Sequence, residues 1–313
     1  MDTLLVSLLN GAIYGLLLFM VSAGLTLIFG MMGVLNFAHA SFYMLGAYFA
    51  FALNDVLGFG LAVVAATVLV GGVGVIVERF FLRRVHHHGH AHELLLTFGL
   101  SFIIAELIKL FFGNFPVNYR LPEFLDFSAF TIGVASYPAY RVFMGAVAVA
   151  MFVLIYLLLT RTRVGIVVRS AIYRPRMAEA LGHNVPLVFM SVFGVGAALA
   201  GLAGAVAGAF YTTNPNMALE LGVMVFVVVV VGGLGSLEGA MLASLLIGVI
   251  TSLAVAVDAS LADLLGVVGA RAWAEDIGGL LTLKISSLAA TLPFALMLLV
   301  LLVRPSGLMG EKA

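Results

Sequence analysis

The chain has no cysteine, and charged residues make up only 10% of its 313 residues. The lack of cysteine excludes disulfide bonds and thiolate chemistry. The lack of charge excludes an ordinary soluble domain, in which roughly a quarter of the residues are charged. Hydrophobic residues instead reach 63%. Because a helix needs about 20 largely apolar residues to cross a bilayer, and such runs recur along the chain, the composition predicts a membrane protein with many spans.

Motifs for ATP hydrolysis and for membrane-embedded catalysis are also missing. No GxxxxGK followed by Ser or Thr occurs, and none of the three lysines, Lys109, Lys284 and Lys312, follows a glycine. A chain without this phosphate-binding loop relies on other polypeptides to hydrolyse ATP. Neither an HExxH helix nor paired aspartates are present. We therefore predict a chain that is no enzyme and binds no cofactor of its own. We expect it to recognise no nucleic acid.

Apolar runs predict an all-α fold, a polytopic transmembrane bundle of about 8–10 spans with Gly-broken helices. The bundle forms a single domain over residues 1–313. We place nine spans at residues 4–29, 35–53, 59–77, 94–112, 142–159, 187–211, 221–232, 241–257 and 288–303. The run 221–232 is short for a full crossing, and glycines follow it at once, so a half-helix with a re-entrant turn is an alternative.

Basic residues cluster in loops that predict the orientation. They are Arg79, Arg83 and Arg84 in one loop, Arg161, Arg163, Arg169, Arg174 and Arg176 in another, and Arg304 after the last span. Loops rich in Arg and Lys remain in the cytoplasm. Nine crossings then place the N-terminus outside and the C-terminus in the cytoplasm.

The first Gly-rich break is the most informative segment, because it puts polar groups inside an apolar run. Gly30, Gly33, Asn36 and His39 recur every three residues at membrane depth. Polar groups are tolerated there only if they face protein or a water-filled cavity. Asn36 and His39 are three residues apart and are expected to share a helical face, with Ser41 and Tyr43 close by. We predict that these four residues line a translocation pathway. For His39 the alternative is a hydrogen bond to the backbone of a helix.

A second Gly-rich break falls in the other half of the chain. Gly232 and Gly233 end an apolar run, and Glu238 follows shortly after them. Paired broken segments are typical of duplicated halves that meet at a midplane pathway. We therefore add these three residues to the pathway candidates. Glu238 either lies beside the cytoplasmic mouth or caps the next helix, and capping is the role that we expect. Gly204 and Gly208, with GxxxG spacing, indicate helix packing alone.

The connection at about 160–187 is long and strongly basic. Its middle, from Arg176 to Gly182, has helix-forming residues closed by a glycine at a plausible C-cap. A helix on the cytoplasmic face could dock a partner that moves the neighbouring spans. The alternative is that the basic residues meet anionic lipid. The candidate docking residues are Arg169, Arg174, Arg176, Glu179 and Gly182.

Two further groups of polar residues have mainly structural interpretations. Histidines crowd one cytoplasmic loop, namely His86, His87, His88, His90 and His92. Imidazole is a common metal ligand, but only Glu93 could join the cluster at a defined spacing, so we predict no metal site. Glu106 and Lys109 are three residues apart, and we expect them to pair and so lower the cost of charge near a membrane end.

Five collinear segments resemble the membrane permeases of branched-chain amino acid ABC importers, of the LivH type. They are residues 10–48, 169–185, 194–208, 227–248 and 304–310. The resemblance implies an importer of the bacterial inner membrane, with the N-terminus in the periplasm and the C-terminus in the cytoplasm. In it, two such permeases sit on two cytoplasmic ATPases and receive solute from a periplasmic binding protein. It also implies that residues 169–185 couple the permease to the ATPase. The histidine-rich loop and the long external segment 258–284 depart from the family's pattern.

One alternative function remains open from the residues alone. An ion-coupled secondary transporter or a channel for a small solute would also use broken helices, although such proteins normally place carboxylates within their spans, and few acids here lie away from helix ends. The substrate is open as well. Similar permeases serve branched-chain amino acids, urea, amides and other small organic molecules.

Overall fold

A computed structural model describes residues 2–133, 135–257, 259–266, 269, 271–279 and 282–310, so Asp258 and Lys312 lie outside the described residues. Its helices, in chain order, are α1 (Asp2–Met32), α2 (His39–Leu57), α3 (Phe59–Val77), α4 (His90–Phe112), α5 (Ala139–Arg161), α6 (Arg163–Tyr173), α7 (Pro175–Ala180), α8 (Val185–Ala207), α9 (Met217–Gly232), α10 (Leu237–Ala256), α11 (Leu261–Leu265), α12 (Arg271–Ile277), α13 (Ile285–Leu288) and α14 (Leu292–Val303). A π turn, Glu78–Leu82, and a last turn, Arg83–Val85, extend α3, and short 3₁₀ turns follow at His86–His88 and Glu123–Leu125.

Helices of membrane-spanning length account for most of the chain. Within the described residues, seven helices are long and apolar enough to cross a bilayer, while α9 and α14 are apolar but shorter, with 16 and 12 residues. At 1.5 Å per residue α9 rises about 24 Å, less than the ~30 Å hydrocarbon core. The predicted all-α, polytopic bundle is confirmed, and the protein is a multi-pass membrane protein.

Two small polar elements lie between the long helices. An antiparallel hairpin, β1 (Ser128–Ile132) with β2 (Ala135–Pro138), precedes α5 and pairs Ile132 with Ala135 at its turn. In the segment after α10, Arg271 binds Glu275 at 2.7 Å and Asp263 at 3.1 Å. Hydrogen bonds from the backbone and side chain of Ser260 hold the pKa of the Asp263 carboxyl below its usual value.

Helix α8 packs at the centre of the bundle through glycines. A Cβ placed on Gly204 would lie 1.8 Å from the backbone oxygen of Tyr43 in α2, and one on Gly196 would lie 2.9 Å from the backbone oxygen of Gly24 in α1. Helices in lipid associate by close packing rather than by hydrophobic burial, and small residues allow that approach. The packing interpretation of Gly204 is therefore confirmed.

Helices α1 and α10 run antiparallel along most of their lengths. Gly11 faces Val249, with an added Cβ 2.7 Å from its Cα, and Gly30 faces Gly235 at 2.9 Å. Backbone contact at both ends fixes the register of the two helices. As a result, the break that follows α1 lies beside the turn that precedes α10.

Candidate functional site: a cavity at the first broken helix

Gly33 ends α1, and the chain stays non-helical until α2 begins. Gly33 has a φ of +67°, which favours glycine, and its N–H bonds the carbonyl of Phe29 at 2.8 Å. The Asn36 side-chain oxygen accepts a hydrogen bond from the Ala38 N–H at 3.0 Å. The prediction that Asn36 and His39 share one helical face is wrong, because the local bonds of Asn36 hold it in the non-helical segment and His39 is the first residue of α2.

This non-helical segment turns back into the bundle. The His39 Nε2 lies 2.9 Å from the carbonyl oxygen of Val21, and the ring is buried. At 1.5 Å per residue, Val21 lies about 16 Å from the α1 end at Met32. Among the described residues, the side-chain nitrogens Asn36 Nδ2 and His39 Nδ1 have no hydrogen-bond partner. Residues 33–38 therefore carry polar groups and non-helical backbone alongside the last turns of α1.

A cavity of about 500 Å³ opens beside this segment. Its walls come from the break, the start of α2, one face of α4 and the first half of α9. Its lining residues are Leu25, Leu35, Asn36, Phe37, His39, Ala40, Ser41, Phe98, Ser101, Phe102, Ala105, Glu106, Lys109, Pro215, Asn216, Ala218, Leu219, Gly222, Val223, Val225 and Phe226. Most are apolar, as in sites that enclose small organic molecules.

Phe37 is a cavity residue that sequence reasoning missed. Its ring lies 6.4 Å from the ring of Phe98, edge to face, and 6.4 Å from that of Phe226, nearly parallel. Its backbone N–H donates to the Thr97 hydroxyl at 3.2 Å, so the break is tied to α4. The side chain is half-exposed to the cavity. An aromatic residue next to Asn36 inside a break was the available signal.

Two charged residues line the same cavity. Lys109 Nζ lies 2.7 Å from Glu106 Oε1, which confirms the predicted pair. Among the described lining residues, these two are the only Asp, Glu, Lys or Arg. The pair is partly exposed, since the exposed fraction of the side chain is 68% for Glu106 and 32% for Lys109. The cavity is thus an apolar space with one ion pair in its wall.

The second break is packed rather than open. Gly233 and Gly235 have φ values of +103° and +86° and turn the chain from α9 into α10. A Cβ on Gly232 would lie 2.6 Å from the backbone nitrogen of Ala240, and one on Gly233 would lie 2.4 Å from that of Gly310. The glycines therefore allow backbone to meet backbone and leave no space for a solute at these positions.

The C-terminal segment and a serine cap complete this second turn. The N–H of Leu308 bonds the carbonyl of Val231 at 2.9 Å. The Ser236 hydroxyl accepts from the N–H of Gly239 at 3.1 Å and caps α10. The expectation that Glu238 caps this helix is wrong, because Ser236 already occupies the N-cap position and Glu238 is exposed in the first turn.

The basic segment (residues 160–187) folds into α6 and α7. Gly182 has a φ of +87°, its N–H bonds Glu179 at 2.9 Å, and the next N–H, of His183, bonds Ala178 at 3.0 Å. These two bonds form the Schellman arrangement that ends a helix at glycine. The predicted helix with its glycine turn is confirmed.

A shallow hollow of about 430 Å³ lies between α6 and α7, and its lining residues are Ile166, Arg169, Ser170, Arg174, Met177, Ala178 and Leu181. Two of them are basic and, among the described residues of the lining, none is acidic. Arg176 and Glu179 are exposed beside it. The basic segment thus offers a positively charged, partly apolar surface.

Comparison with known proteins identifies the family. The family described as "Branched-chain amino acid transport system / permease component" matches residues 7–301. The chain belongs to this permease family. It is 29% identical to the high-affinity branched-chain amino acid transport system permease protein BraD of Pseudomonas aeruginosa, over 97% of this chain and 95% of that protein.

Two further relatives extend the comparison. LivH of Escherichia coli K12 is 29% identical to this permease over 96% of this chain and 94% of that protein. A probable LivH of Methanocaldococcus jannaschii is 27% identical over 79% of this chain and 80% of that protein. No solved structure gives a significant match. The match over residues 7–301 includes both breaks, the cavity and the basic segment.

The structure divides the predicted pathway residues of this permease into two sets. Asn36, His39 and Ser41 line the cavity, whereas Tyr43, Gly232, Gly233 and Glu238 do not. Tyr43 is instead buried where α2 meets α8. The first break therefore brings three of its four candidates together at the cavity, while the second break contributes none to it.

The histidine-rich loop of the permease surrounds a buried carboxylate. Glu93 is 2% exposed at its side chain, and it contacts His86 Nδ1 and, at 3.2 Å, His90 Nδ1. Within the described part of the chain, no three His, Cys, Asp or Glu residues are placed to hold a metal ion. The observed contacts of Glu93 close the loop onto the first turn of α4.

Proposed function

We propose that this permease carries branched-chain amino acids across the bacterial inner membrane as one membrane subunit of an ATP-driven importer. A periplasmic binding protein delivers the solute, two cytoplasmic ATPases supply the energy, and a second, homologous permease completes the pathway. The N-terminus lies in the periplasm and the C-terminus in the cytoplasm. The chain itself catalyses no reaction and binds no cofactor.

The observation that carries this proposal is the cavity at the first break. Non-helical backbone at membrane depth is tolerated only where it is buried in protein or lines a water-filled space. Residues 33–38 border a space of about 500 Å³, within the roughly 300–1,000 Å³ range of sites for small molecules. A broken helix with such a space beside it supports a translocation pathway.

The open side of the cavity supports a second permease subunit. Phe98 and Phe102 of α4 and Leu219 of α9 keep between 51% and 75% of their exposure. In this arrangement one wall of the pathway is missing from the single chain. We infer that a homologous subunit packs its helices there and closes the space against lipid.

The chemistry of the lining and the names of the relatives support the substrate. The relatives in Pseudomonas aeruginosa and Escherichia coli are described as high-affinity branched-chain amino acid permeases. Aromatic and aliphatic walls, such as Phe226 and Val223, favour an aliphatic side chain, because its burial removes apolar surface from water. Urea and small amides have no such side chain, so they bury less apolar surface against these walls and bind more weakly.

Contacts of the basic segment support ATPase docking and force transmission. Ala178 of α7 is buried against Val185 at the start of α8. Arg83, which is held by Glu78, donates to the carbonyl of Pro186 at 2.9 Å. Since α8 packs backbone to backbone on α1 and α2, a push on α7 is passed directly to the helices around the cavity.

Uptake into vesicles tests the function and the docking together. The complex is reconstituted with its ATPases and binding protein, and leucine uptake is measured with ATP or with an ion gradient. We expect uptake only with ATP.

Ala178→Pro tests the docking site. It removes the hydrogen bond from the Ala178 N–H to the Arg174 carbonyl and costs about 3 kcal/mol in a helix interior. It should therefore abolish ATPase copurification and solute-stimulated ATP hydrolysis, while the spans still insert.

Two milder variants and one control sharpen this test. Gly182→Val strains the left-handed turn, and Arg176→Glu reverses a charge beside the hollow, so both should weaken coupling. Arg84→Glu makes the same charge change in the other basic loop and should leave coupling intact. Uptake driven by an ion gradient alone contradicts the function. Normal coupling in Ala178→Pro, Gly182→Val and Arg176→Glu contradicts the docking site.

A further inference from the structure

The cavity has one ion pair in a mostly apolar wall, and the pair lies at one end of the cavity. Six residues of α4 line the cavity at helical spacing, namely Phe98, Ser101, Phe102, Ala105, Glu106 and Lys109. Lys109 is in the last turn of α4, and Asn216 lies just ahead of α9. The pair therefore lies at the mouth of the cavity, where α4 ends and α9 begins.

The break forms the opposite end of the cavity. Phe37 bonds Thr97, and Thr97 is about 18 Å from Lys109 along α4 at 1.5 Å per residue. Helical side chains lean toward the N-terminus of their helix, so Glu106 and Lys109 lean into the cavity toward the break. A solute that enters at the mouth must pass the ion pair before it reaches Asn36.

We propose that Glu106 and Lys109 form the entry site for the main chain of a zwitterionic amino acid. The pair opens, the solute ammonium binds the Glu106 carboxylate, and the solute carboxylate binds the Lys109 ammonium. One ion pair is exchanged for two, and the net charge of the cavity stays zero. The aliphatic side chain meanwhile packs against apolar walls such as Phe102 and Leu219. This inference rests on the proposed function and assigns its specificity.

Charge balance gives the site its selectivity. An amino acid amide lacks the carboxylate and leaves Lys109 without a partner, while a fatty acid lacks the ammonium and leaves Glu106 without one. The pair is partly exposed in the single chain, but once the second subunit closes the open side of the cavity, an unpaired charge there is strongly unfavourable. An uncharged solute offers no ion pair in exchange for the one that it would break. The entry site therefore accepts a solute that carries an ammonium and a carboxylate on the same carbon atom.

Two unpartnered polar atoms lie buried in the wall at the other end of the cavity. The Asn36 Nδ2 donor is buried without a partner among the described residues, as is His39 Nδ1. A neutral ring whose Nε2–H donates to the Val21 carbonyl leaves Nδ1 as an acceptor. One donor for a carboxylate and one acceptor for an ammonium thus lie beyond the mouth. A shift of the lining is needed to uncover them, and their neutrality favours release over tight binding.

Cysteine labelling measures occupancy of the cavity without the binding protein or ATP. Because the chain has no cysteine, Ser101→Cys places a unique thiol in this subunit, on the cavity wall. The assembled complex of permease and ATPase subunits, without binding protein or ATP, is treated with a water-soluble maleimide. The labelling rate of this subunit is measured in the presence of leucine, leucinamide or 4-methylpentanoate. Ser128→Cys, in the exposed hairpin, reports the reactivity of the reagent alone.

We expect leucine at twice its dissociation constant to slow labelling of Ser101→Cys about threefold, while the two singly charged analogues at equal concentration slow it little. Adding Glu106→Gln with Lys109→Gln should abolish protection by leucine. Glu275→Gln is the matched control, since it breaks an exposed ion pair on another helix, and protection should remain. Size-exclusion elution and ATPase copurification establish that each variant assembles.

Several results would overturn the entry site. They are equal protection by leucine and its analogues, unchanged protection in the assembled double variant with Glu106→Gln and Lys109→Gln, or no protection by leucine when Ser101→Cys is the only change. If the double variant does not assemble, the single variant Lys109→Gln tests the entry site, because it should lose protection by leucine on its own. Failure of the proposed function is distinct, since it appears as missing ATP-driven uptake by the unmodified complex.

Discussion

The two Gly-rich breaks look alike in the sequence, yet they have opposite surroundings. The break after α1 borders a cavity, and Gly33 has nothing within 4 Å of the place where a Cβ would be. The break after α9 is filled, because Gly232 and Gly233 meet the backbones of α10 and of the C-terminal segment within 3 Å. At the first break, glycine is needed only for the backbone conformation. At the second break, it also allows two stretches of backbone to approach each other closely.

This difference separates two roles that one bundle must combine. Packed glycines at the second break join α9, α10 and the C-terminal segment into a fixed unit. The first break instead borders a space that a solute can enter, with Phe37 half-exposed to it and the buried Asn36 and His39 in its lining. Substitutions at the second break should therefore affect assembly, and substitutions at the first break should affect transport.

The largest effect is expected at the packed break. Gly232→Val places a branched side chain where a Cβ already lies 2.6 Å from backbone atoms. Backbone atoms cannot move aside as a side chain can. We therefore expect the free energy of unfolding to fall by about 3 kcal/mol, the upper end of measured overpacking costs, and the folded yield to fall sharply. Thermal melting and size-exclusion elution of the complex measure it.

Gly72→Val is the matched control for that variant, because Gly72 is also helical and has nothing within 4 Å of an added Cβ. It should retain normal yield. If Gly232→Val assembles and melts as the unmodified complex does, the second break is not a packed unit, and the contrast between the two breaks is lost.

An intermediate effect, limited to transport, is expected at the open break. Asn36→Leu removes an unpartnered donor from the cavity lining together with the hydrogen bond to Ala38. We expect ATP-driven uptake to fall about tenfold, equivalent to roughly 1.4 kcal/mol, while the complex still assembles.

Asn214→Leu provides the comparison, since Asn214 makes the same type of bond, to the N–H of Asn216 at 2.8 Å, and does not line the cavity. Its uptake should stay near normal. Equal losses of assembly and uptake in Asn36→Leu would instead assign Asn36 to packing.

The smallest effect is expected at the cap of α10. Ser236→Ala removes the hydroxyl that accepts from Gly239, and loss of an N-cap costs about 1 kcal/mol. We predict a melting temperature lower by a few degrees with normal uptake per folded complex. Glu238→Gln should change the melting temperature less. The reverse order of the two shifts would return the capping role to Glu238.

Local sequence signals predicted the helices and several of their ends. Apolar runs located the long helices, and Gly182 correctly marked the end of α7 because only glycine readily takes a φ of +87°. Spacing also predicted the Glu106–Lys109 pair. The same reasoning placed Asn36 on a helix, because an apolar run does not reveal that Gly33 ends α1 and that the Asn36 side chain bonds Ala38.

The sequence by itself determined the class of this protein, since apolar runs at this density are stable only as helices within a bilayer. It determined the positions of both breaks through glycine. Only the tertiary structure decided which break opens. That outcome depends on residues distant in the chain, because Gly310 and Ala240 fill the space beside the second break, whereas α4 and α9 stand apart beside the first.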